Sequence, residues 1–413
     1  MFRKKHNQPA LSAALVALSV AGSLGLGEWV LSDIYHFPRA LAPHPPFGNI
    51  LPGAHIHLVQ RDFTTDMNFN SEGFRGPDFI DQMESGEAVL FLGDSFIEGF
   101  GVDEAQRASN RVENLLQKNP QTKNLRALNA GQTMTGPFAY FKNLIHFGVA
   151  LSPRAVVVGL FMGNDFIGAR HFPVPNGYKV HNRLPIDLNR KVEGPLWRLG
   201  FLRELLATGL KGKTTLQPRV NTHKYWEFFY GKPIDRTFFL EESGLPEDQY
   251  AKHLKRIPGD VLQDFFLGKI NPSYLIGSFP SETTTMERAF SDDDIRIVFD
   301  TLYEMYFVCS QRNIPFLLVI YPSPYQVYPE AYTTHLKQNL GYEDVPQSLR
   351  ELGGIQNDLT KWLTREGIAF VDLSLQLDQK DFFPFDGHLN ETGHSKTARL
   401  IHKQLVSLIA RSN

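Results

Sequence analysis

Three side chains carry most of the chemical information in this 413-residue chain: a serine, a histidine and a carboxylate. Ser95 stands in AVLFLGDSFIEGFG, residues 88–101, where an apolar run breaks at Gly93 and delivers Asp94 and Ser95 at its end. Asp386 and His388 stand in FFPFDGHLNETGH, residues 382–394, separated by Gly387. A serine hydroxyl needs a base to accept its proton before it is a useful nucleophile at neutral pH. Residues i and i+2 of an extended segment point the same way, so the Asp386 carboxylate could lie beside the His388 imidazole. There it would help fix the tautomer and stabilise the imidazolium that forms as His388 takes the serine proton. Plainer readings also fit each piece. A GDS tripeptide suits an ordinary strand-to-helix turn, and Asp386-Gly387 suits a turn before a C-terminal helix with the histidine exposed.

Those residues need elements to bring them together. Five apolar runs have the length of buried strands: 88–92, 124–129, 155–161, 315–321 and 368–373. Between them lie stretches of helical spacing at about 103–118, 137–149, 295–312 and 349–365, with a last one after Asn390, a good N-cap. The alternation predicts an α/β chain with a parallel sheet and right-handed crossovers. In such sheets functional groups collect at the carboxyl ends of the strands. The first three strands end in Gly93-Asp94-Ser95, Asn129-Ala130-Gly131 and Gly163-Asn164-Asp165. On one rim these offer a hydroxyl, a glycine N–H and a carboxamide N–H around one spot.

The remaining segments are of other kinds. A basic start (Arg3, Lys4, Lys5) precedes a window without charge from Asn7 to Gly27, roughly long enough to cross a bilayer. An uncleaved signal anchor over 1–31 is the favoured reading, a cleaved signal peptide the other, and either places the rest outside the cytoplasm. Residues 32–84, rich in Pro, His and Gly at the start, read as an extended stalk, with NFNSEGFRG (68–76) as a strand or turn near the site. Residues 166–294 lose the strand–helix rhythm and read as an insertion subdomain between two halves of one domain, 85–165 and 295–413. Its aromatics, among them Trp197, Tyr225, Trp226, Phe265 and Phe266, either pack the insertion or line a pocket for sugar or acyl groups. Cys309 is the sole cysteine and sits in an apolar helical run, as a buried inert thiol would. A net charge of −2 gives no sign of a nucleic-acid surface. His171, His181 and His223 have no metal-ligand spacing, and no cofactor or metal is expected.

Taken together, these blocks resemble the four ordered signatures of the SGNH (GDSL) hydrolase family. Gly93-Asp94-Ser95 is similar to the nucleophile block, Gly131 to the second, Gly163-Asn164-Asp165 to the third, and Asp386 with His388 to the last. The resemblance implies a flavodoxin-like, three-layer fold with a central parallel five-stranded sheet, here carrying a large insertion. It also implies a Ser95–His388–Asp386 triad and an oxyanion hole from the Ser95 N–H, the Gly131 N–H and the Asn164 side chain. Many members place the acid three residues before the histidine, which here is Phe385. The Asp-x-His spacing instead resembles that of cell-envelope members, including the alginate O-acetylation proteins.

The expected function is a membrane-anchored, extracytoplasmic serine esterase acting on acyl esters of small molecules or carbohydrate, O-acetyl groups foremost. Two alternatives stay open. One is an O-acetyltransferase on cell-envelope polysaccharide, since a sugar hydroxyl can resolve the same acyl-enzyme. The other is a catalytically idle carbohydrate-binding protein derived from the same scaffold.

Overall fold

The alternation of apolar runs and helical stretches closes into one parallel sheet. The computed structural model describes residues 53–166, 231, 233–279 and 290–411, with the isolated positions 19, 23 and 50. The central strands are β3 (Glu87–Gly93), β4 (Leu125–Gly131), β5 (Ala155–Phe161), β6 (Phe316–Tyr321) and β7 (Ala369–Asp372), preceded by an antiparallel hairpin, β1 (His55–Val59) and β2 (Thr64–Asn68). The five pair in parallel in the order β4-β3-β5-β6-β7. In order along the chain this is 2-1-3-4-5, the doubly wound flavodoxin-like arrangement. Every strand predicted from the apolar runs is present, with ends that differ by no more than two residues.

The strands are apolar throughout because both sheet faces are covered. On one face Val89, Phe91, Val157, Leu317 and Val319 pack with Val112 and Leu116 of the Ala108–Leu116 helix and Ala398, Ile401 and Leu405 of the Glu391–Arg411 helix. The alternate residues Leu90, Leu92, Val156, Val158, Leu318 and Ile320 point to the other face and are fully buried. Helices Pro137–Asn143 and Asp292–Ser310 pack on each other, each against that sheet. Cys309 lies in the second of these, buried, where desolvation pushes its thiol up to about 12.

Two expectations about the flanking segments differ from the structure. The described part of the expected stalk is folded: the β1–β2 hairpin and a helix, Phe79–Glu84, bury Leu58, Met67, Phe69, Phe74 and Arg75. The hairpin alternates exposed and buried positions, but mostly with His, Thr, Asp and Asn, so its apolar period is weak. The Arg75 guanidinium then donates to the carbonyls of Gly99 (2.6 Å) and Val102 (2.8 Å), fastening 68–76 to the loop after Ser95. The second difference concerns the insertion. Helices at Arg236–Ser243, Glu247–Leu254, Gly259–Phe266 and Pro272–Ser278 form a small core that includes Phe239, Phe265, Leu275 and Phe279. That core is completed by Tyr332, Leu336, Leu340 and Tyr342, from the chain after β6, where helices Pro324–Val327 and Pro329–Asn339 went unpredicted. Prolines at 322, 324 and 329 interrupt the helical period there, which hides it from a periodicity reading.

Residues 1–31, Trp197, Tyr225, Trp226, His171, His181 and His223 lie outside the described residues, positions 19 and 23 excepted. Among the described residues no helix is long and apolar enough to cross a membrane.

Gly131 ends β4 directly behind the turn that carries Ser95. A Cβ there would lie 2.2 Å from the Glu98 amide nitrogen and 2.6 Å from the Ile97 carbonyl carbon, both backbone atoms that cannot swing away. Gly131→Ala is therefore expected to destabilise the fold by about 1–3 kcal/mol or more, as overpacking does. The check is the shift in midpoint of urea denaturation.

Candidate active site

Parallel pairing sets the ends of neighbouring strands side by side, with Gly93 opposite Gly131 in the register. Just beyond Gly93 the chain turns into a helix of one turn, Ser95–Glu98. Asp94 caps it, its carboxylate accepting the Phe96 N–H at 3.0 Å. As the first residue of that turn, Ser95 has an N–H without an intrahelical acceptor. The serine itself is 5% exposed.

The histidine arrives from the far end of the chain. Residues 382–389 form a closed loop held by a bridge between Phe382 and Leu389, by Phe383 N–H to His388 C=O (2.8 Å) and by Gly387 N–H to Phe383 C=O (3.0 Å). Gly387 has φ +76°, the left-handed region that a residue with a Cβ adopts reluctantly. Asn390 closes the loop: its Oδ1 caps the Glu391–Arg411 helix at Thr392 N–H (2.9 Å) and Gly393 N–H (3.2 Å), while its Nδ2 donates to the Lys380 and Phe382 carbonyls. The helix is thus capped by Asn390, leaving Asp386 free for the histidine. The plainer reading of the Asp386-Gly387 pair, with His388 merely exposed, is not what the chain does.

His388 Nε2 stands 2.7 Å from Ser95 Oγ. Its Nδ1 is hydrogen-bonded to Asp386 Oδ1, which also accepts the His388 backbone N–H at 3.2 Å. Phe96 and Phe100 flank the imidazole, with ring centroids 4.9 and 5.0 Å away. Burial by these rings disfavours the imidazolium, yet the Asp386 carboxylate overrides it, and the His388 pKa lies above its ordinary value. The buried carboxylates of Asp94 and Glu98 pull the same way. Asp94 itself is held above the usual carboxylate range by burial, opposed by the Phe96 N–H and by the charge on His388.

A cavity of about 400 Å³ opens on this group. Ser95, His388, Asp386 and Asn164 line it, with Thr133 and Met134 from the loop after β4. The small helical core adds Tyr274, Tyr332, Leu336, Tyr342 and Leu349 to the lining. Asn164 comes from the turn after β5, where Asp165 pins the chain by accepting the Phe161 N–H and the Tyr140 hydroxyl, each at 2.8 Å. Asn164 Oδ1 is buried without a hydrogen-bond partner.

Of the residues expected at the site, the structure brings Ser95, His388, Asp386 and Asn164 to one cavity and leaves Gly131 beside it. The Gly131 N–H donates to Asn129 Oδ1 at 3.0 Å instead of facing the cavity, and Gly131 is not part of the lining. Asn129 is locked in turn, its Nδ2 donating to the Ile97 carbonyl (2.6 Å) and to Ser109 Oγ (2.7 Å). From the loop after β4 the cavity is lined instead by Thr133, whose N–H and hydroxyl both donate to Glu98 Oε2. Next to it Met134 has φ +61°, strained for a residue with a long side chain. Sequence reasoning missed Thr133, Met134 and Tyr274. Nothing in their local pattern marks them, since each is defined by what it meets across the fold. Of the insertion's aromatics, Phe265 is fully buried in the helical core and is a packing residue.

No family model and no curated protein matches the chain. Among solved structures it is similar to Est24, a carbohydrate acetylesterase from Sinorhizobium meliloti, at 10% identity and a TM-score of 0.33, covering 78% of this chain and 98% of that one. It is also similar to a family 3 carbohydrate esterase from Clostridium thermocellum, at 13% identity and a TM-score of 0.34, covering 79% and 100%. A GDSL-like lipase from Bacteroides thetaiotaomicron matches at 9% identity and a TM-score of 0.34, over 80% and 90%.

The opposed influences on His388 have a measurable consequence. In a histidine-labelled sample followed by NMR, its titration midpoint is expected above the ordinary 6.5. Asp386→Asn removes the largest upward pull and leaves burial less opposed, so the midpoint is expected to fall. Because the folded value is raised, the stabilisation from the Asp386–His388 pair is fully present below the unfolded histidine pKa. It is lost as pH rises through the folded one.

Proposed function

We propose that the chain is a serine esterase of the SGNH (GDSL) type, acting on acyl esters. The observation that carries this reading is the continuous relay from Asp386 through His388 to Ser95 Oγ at the mouth of a cavity. In that arrangement Ser95 Oγ attacks the ester carbonyl carbon while His388 Nε2 takes its proton. Asp386 stays ionised and stabilises the imidazolium. The negative charge that develops on the carbonyl oxygen is met by the Ser95 N–H and the Asn164 carboxamide, each such donor lowering the barrier by roughly 3 kcal/mol. His388 then returns the proton to the departing alkoxide, leaving an acyl group on Ser95. Water, deprotonated by the same histidine, releases it as the carboxylic acid.

The finer reading is that the acyl group is acetyl and the alcohol a carbohydrate hydroxyl. Polar groups, among them Asn271, Ser273, Ser323 and Ser348, share the cavity lining with tyrosines, a mixture suited to a sugar ring. The engaged relay favours catalysis over an idle binding protein, because a binding pocket has no use for an imidazole held between a carboxylate and a hydroxyl.

Turnover of p-nitrophenyl acetate and covalent labelling by a fluorophosphonate test the reading together. Ser95→Ala is expected to abolish labelling, and His388→Ala to reduce turnover nearly as far, at least about a thousandfold, because the two act as one unit. Labelling that survives in Ser95→Ala would name a different nucleophile.

The setting proposed for this activity is outside the cytoplasm, on a membrane anchor formed by residues 1–31. Its support is the basic start followed by the uncharged window from Asn7 to Gly27. Fractionation of cells is expected to recover the intact chain with the membrane and its C-terminal part accessible to external protease. Full-length chain in the cytosol would sink the idea.

A further inference from the structure

The peptide group of Asp386 is gripped from two sides by residues outside its own loop. Its N–H donates to Asp62 Oδ2 at 2.8 Å, and the preceding N–H, of Phe385, donates to the same oxygen at 2.7 Å. Its carbonyl accepts the hydroxyl of Tyr274, in the first turn of the Pro272–Ser278 helix. Asp62 lies in the turn joining β1 to β2, more than 300 residues away along the chain. That turn is itself fixed. Arg61 donates to Asp264 (2.7 Å) and Asp260 (2.6 Å) and stacks its guanidinium 4.4 Å above the Phe385 ring. The Arg61 N–H donates to the Lys269 carbonyl at 2.7 Å, and Gln60 Nε2 to that of Gly268 at 2.9 Å.

We propose, on the serine-esterase reading above, that Asp62 is a positioning residue of the reaction: by holding two successive N–H groups it aims the Asp386 carboxylate at His388 Nδ1. The chemistry of the contact supports this. A carboxylate oxygen accepting two backbone N–H groups makes charge-assisted bonds, about twice as strong as neutral ones. They fix both the position and the tilt of the 385–386 backbone. Within its own loop the Asp386 carboxylate meets the His388 N–H, at 3.2 Å, and the His388 ring, and Asp62 adds a hold on the 385–386 backbone from outside that loop. Asp62 is absent from the cavity lining, so its influence on the reaction passes through Asp386 and not through contact with substrate. Small misplacements of a reacting group can cost on the order of a hundredfold in rate.

The experiment compares kcat and KM for p-nitrophenyl acetate in the full chain and in Asp62→Ala, Asp62→Asn and Asp62→Glu, with thermal melts of each. Asp62→Asn keeps an oxygen acceptor in place and removes the charge, whereas Asp62→Glu keeps the charge and displaces the acceptor. Asp62→Ala and Asp62→Glu are expected to lower kcat by about tenfold or more with KM within about twofold, and Asp62→Asn, which keeps the acceptor with weaker bonds, to lose clearly less than either. If Asp62→Ala fails to melt cooperatively, the contrast between Asn and Glu decides. Unchanged kcat in Asp62→Glu, or a loss in Asp62→Asn as large as in Asp62→Ala, overturns the positioning role. A wild-type chain that neither turns over the ester nor takes the fluorophosphonate overturns the esterase reading, and the positioning role with it.

Discussion

One hydrogen bond, between the Ser95 hydroxyl and His388 Nε2, spans 293 residues of sequence, and much of the structure exists to make it possible. Its two ends belong to separate elements, a one-turn helix after the first central strand and a closed loop before the last helix. Neither end adjusts easily. Ser95 is fixed because its turn packs without clearance against Gly131 of the neighbouring strand. His388 is fixed because its loop is stitched at both ends and clasped in the middle by Asp62 and Tyr274. Parallel strand pairing supplies the rest, since it brings every strand's carboxyl end to one rim.

The surroundings of that bond carry more buried charge than a packed core tolerates without a reason. Asp94, Glu98, Asp165 and Asp386 are all nearly excluded from water. Each is held by N–H or hydroxyl donors: Phe96 for Asp94, Thr133 for Glu98, Phe161 and Tyr140 for Asp165, His388 for Asp386. Each oxygen so held avoids the desolvation cost of about 1–3 kcal/mol or more that an unpaired group incurs, whereas Oδ2 of Asp94 and of Asp386 is buried without a partner. Asp386, Asp94 and Glu98 put a negative field at the His388 ring, which offsets what burial between the phenylalanines does to its basicity. The imidazole is thereby kept basic in an apolar setting.

The helical core against the cavity gives the site its second wall. It is assembled from two stretches, one before and one after β6, that meet only in the folded chain. Residues that line the cavity, such as Tyr332 and Leu336, therefore sit on a substructure separate from the sheet. The hairpin tip at Arg61 and Asp62 touches both this core and the histidine loop, and so couples the cavity wall to the loop that carries Asp386 and His388.

Reading the residues in order was enough to find the strands, because a strand buried on both faces is apolar at every position and announces itself without partners. It was enough to single out Ser95, Asp386, His388 and Asn164, which the fold brings to one cavity, since each lies at a strand end or in a compact block. Tertiary structure alone decided the rest. The hairpin at 55–68 is half polar, and the helices after β6 are broken by prolines, so neither shows a period until its packing is seen. Gly131 had the right place on the rim, but the direction of its N–H depended on the carboxamide of Asn129. Asp62 and Tyr274 are unremarked in sequence because a hydrogen bond to a distant backbone leaves no spacing to read. Local pattern reports what a residue does with its near neighbours, whereas the aim of a side chain is set by contacts that exist only once the chain has closed on itself.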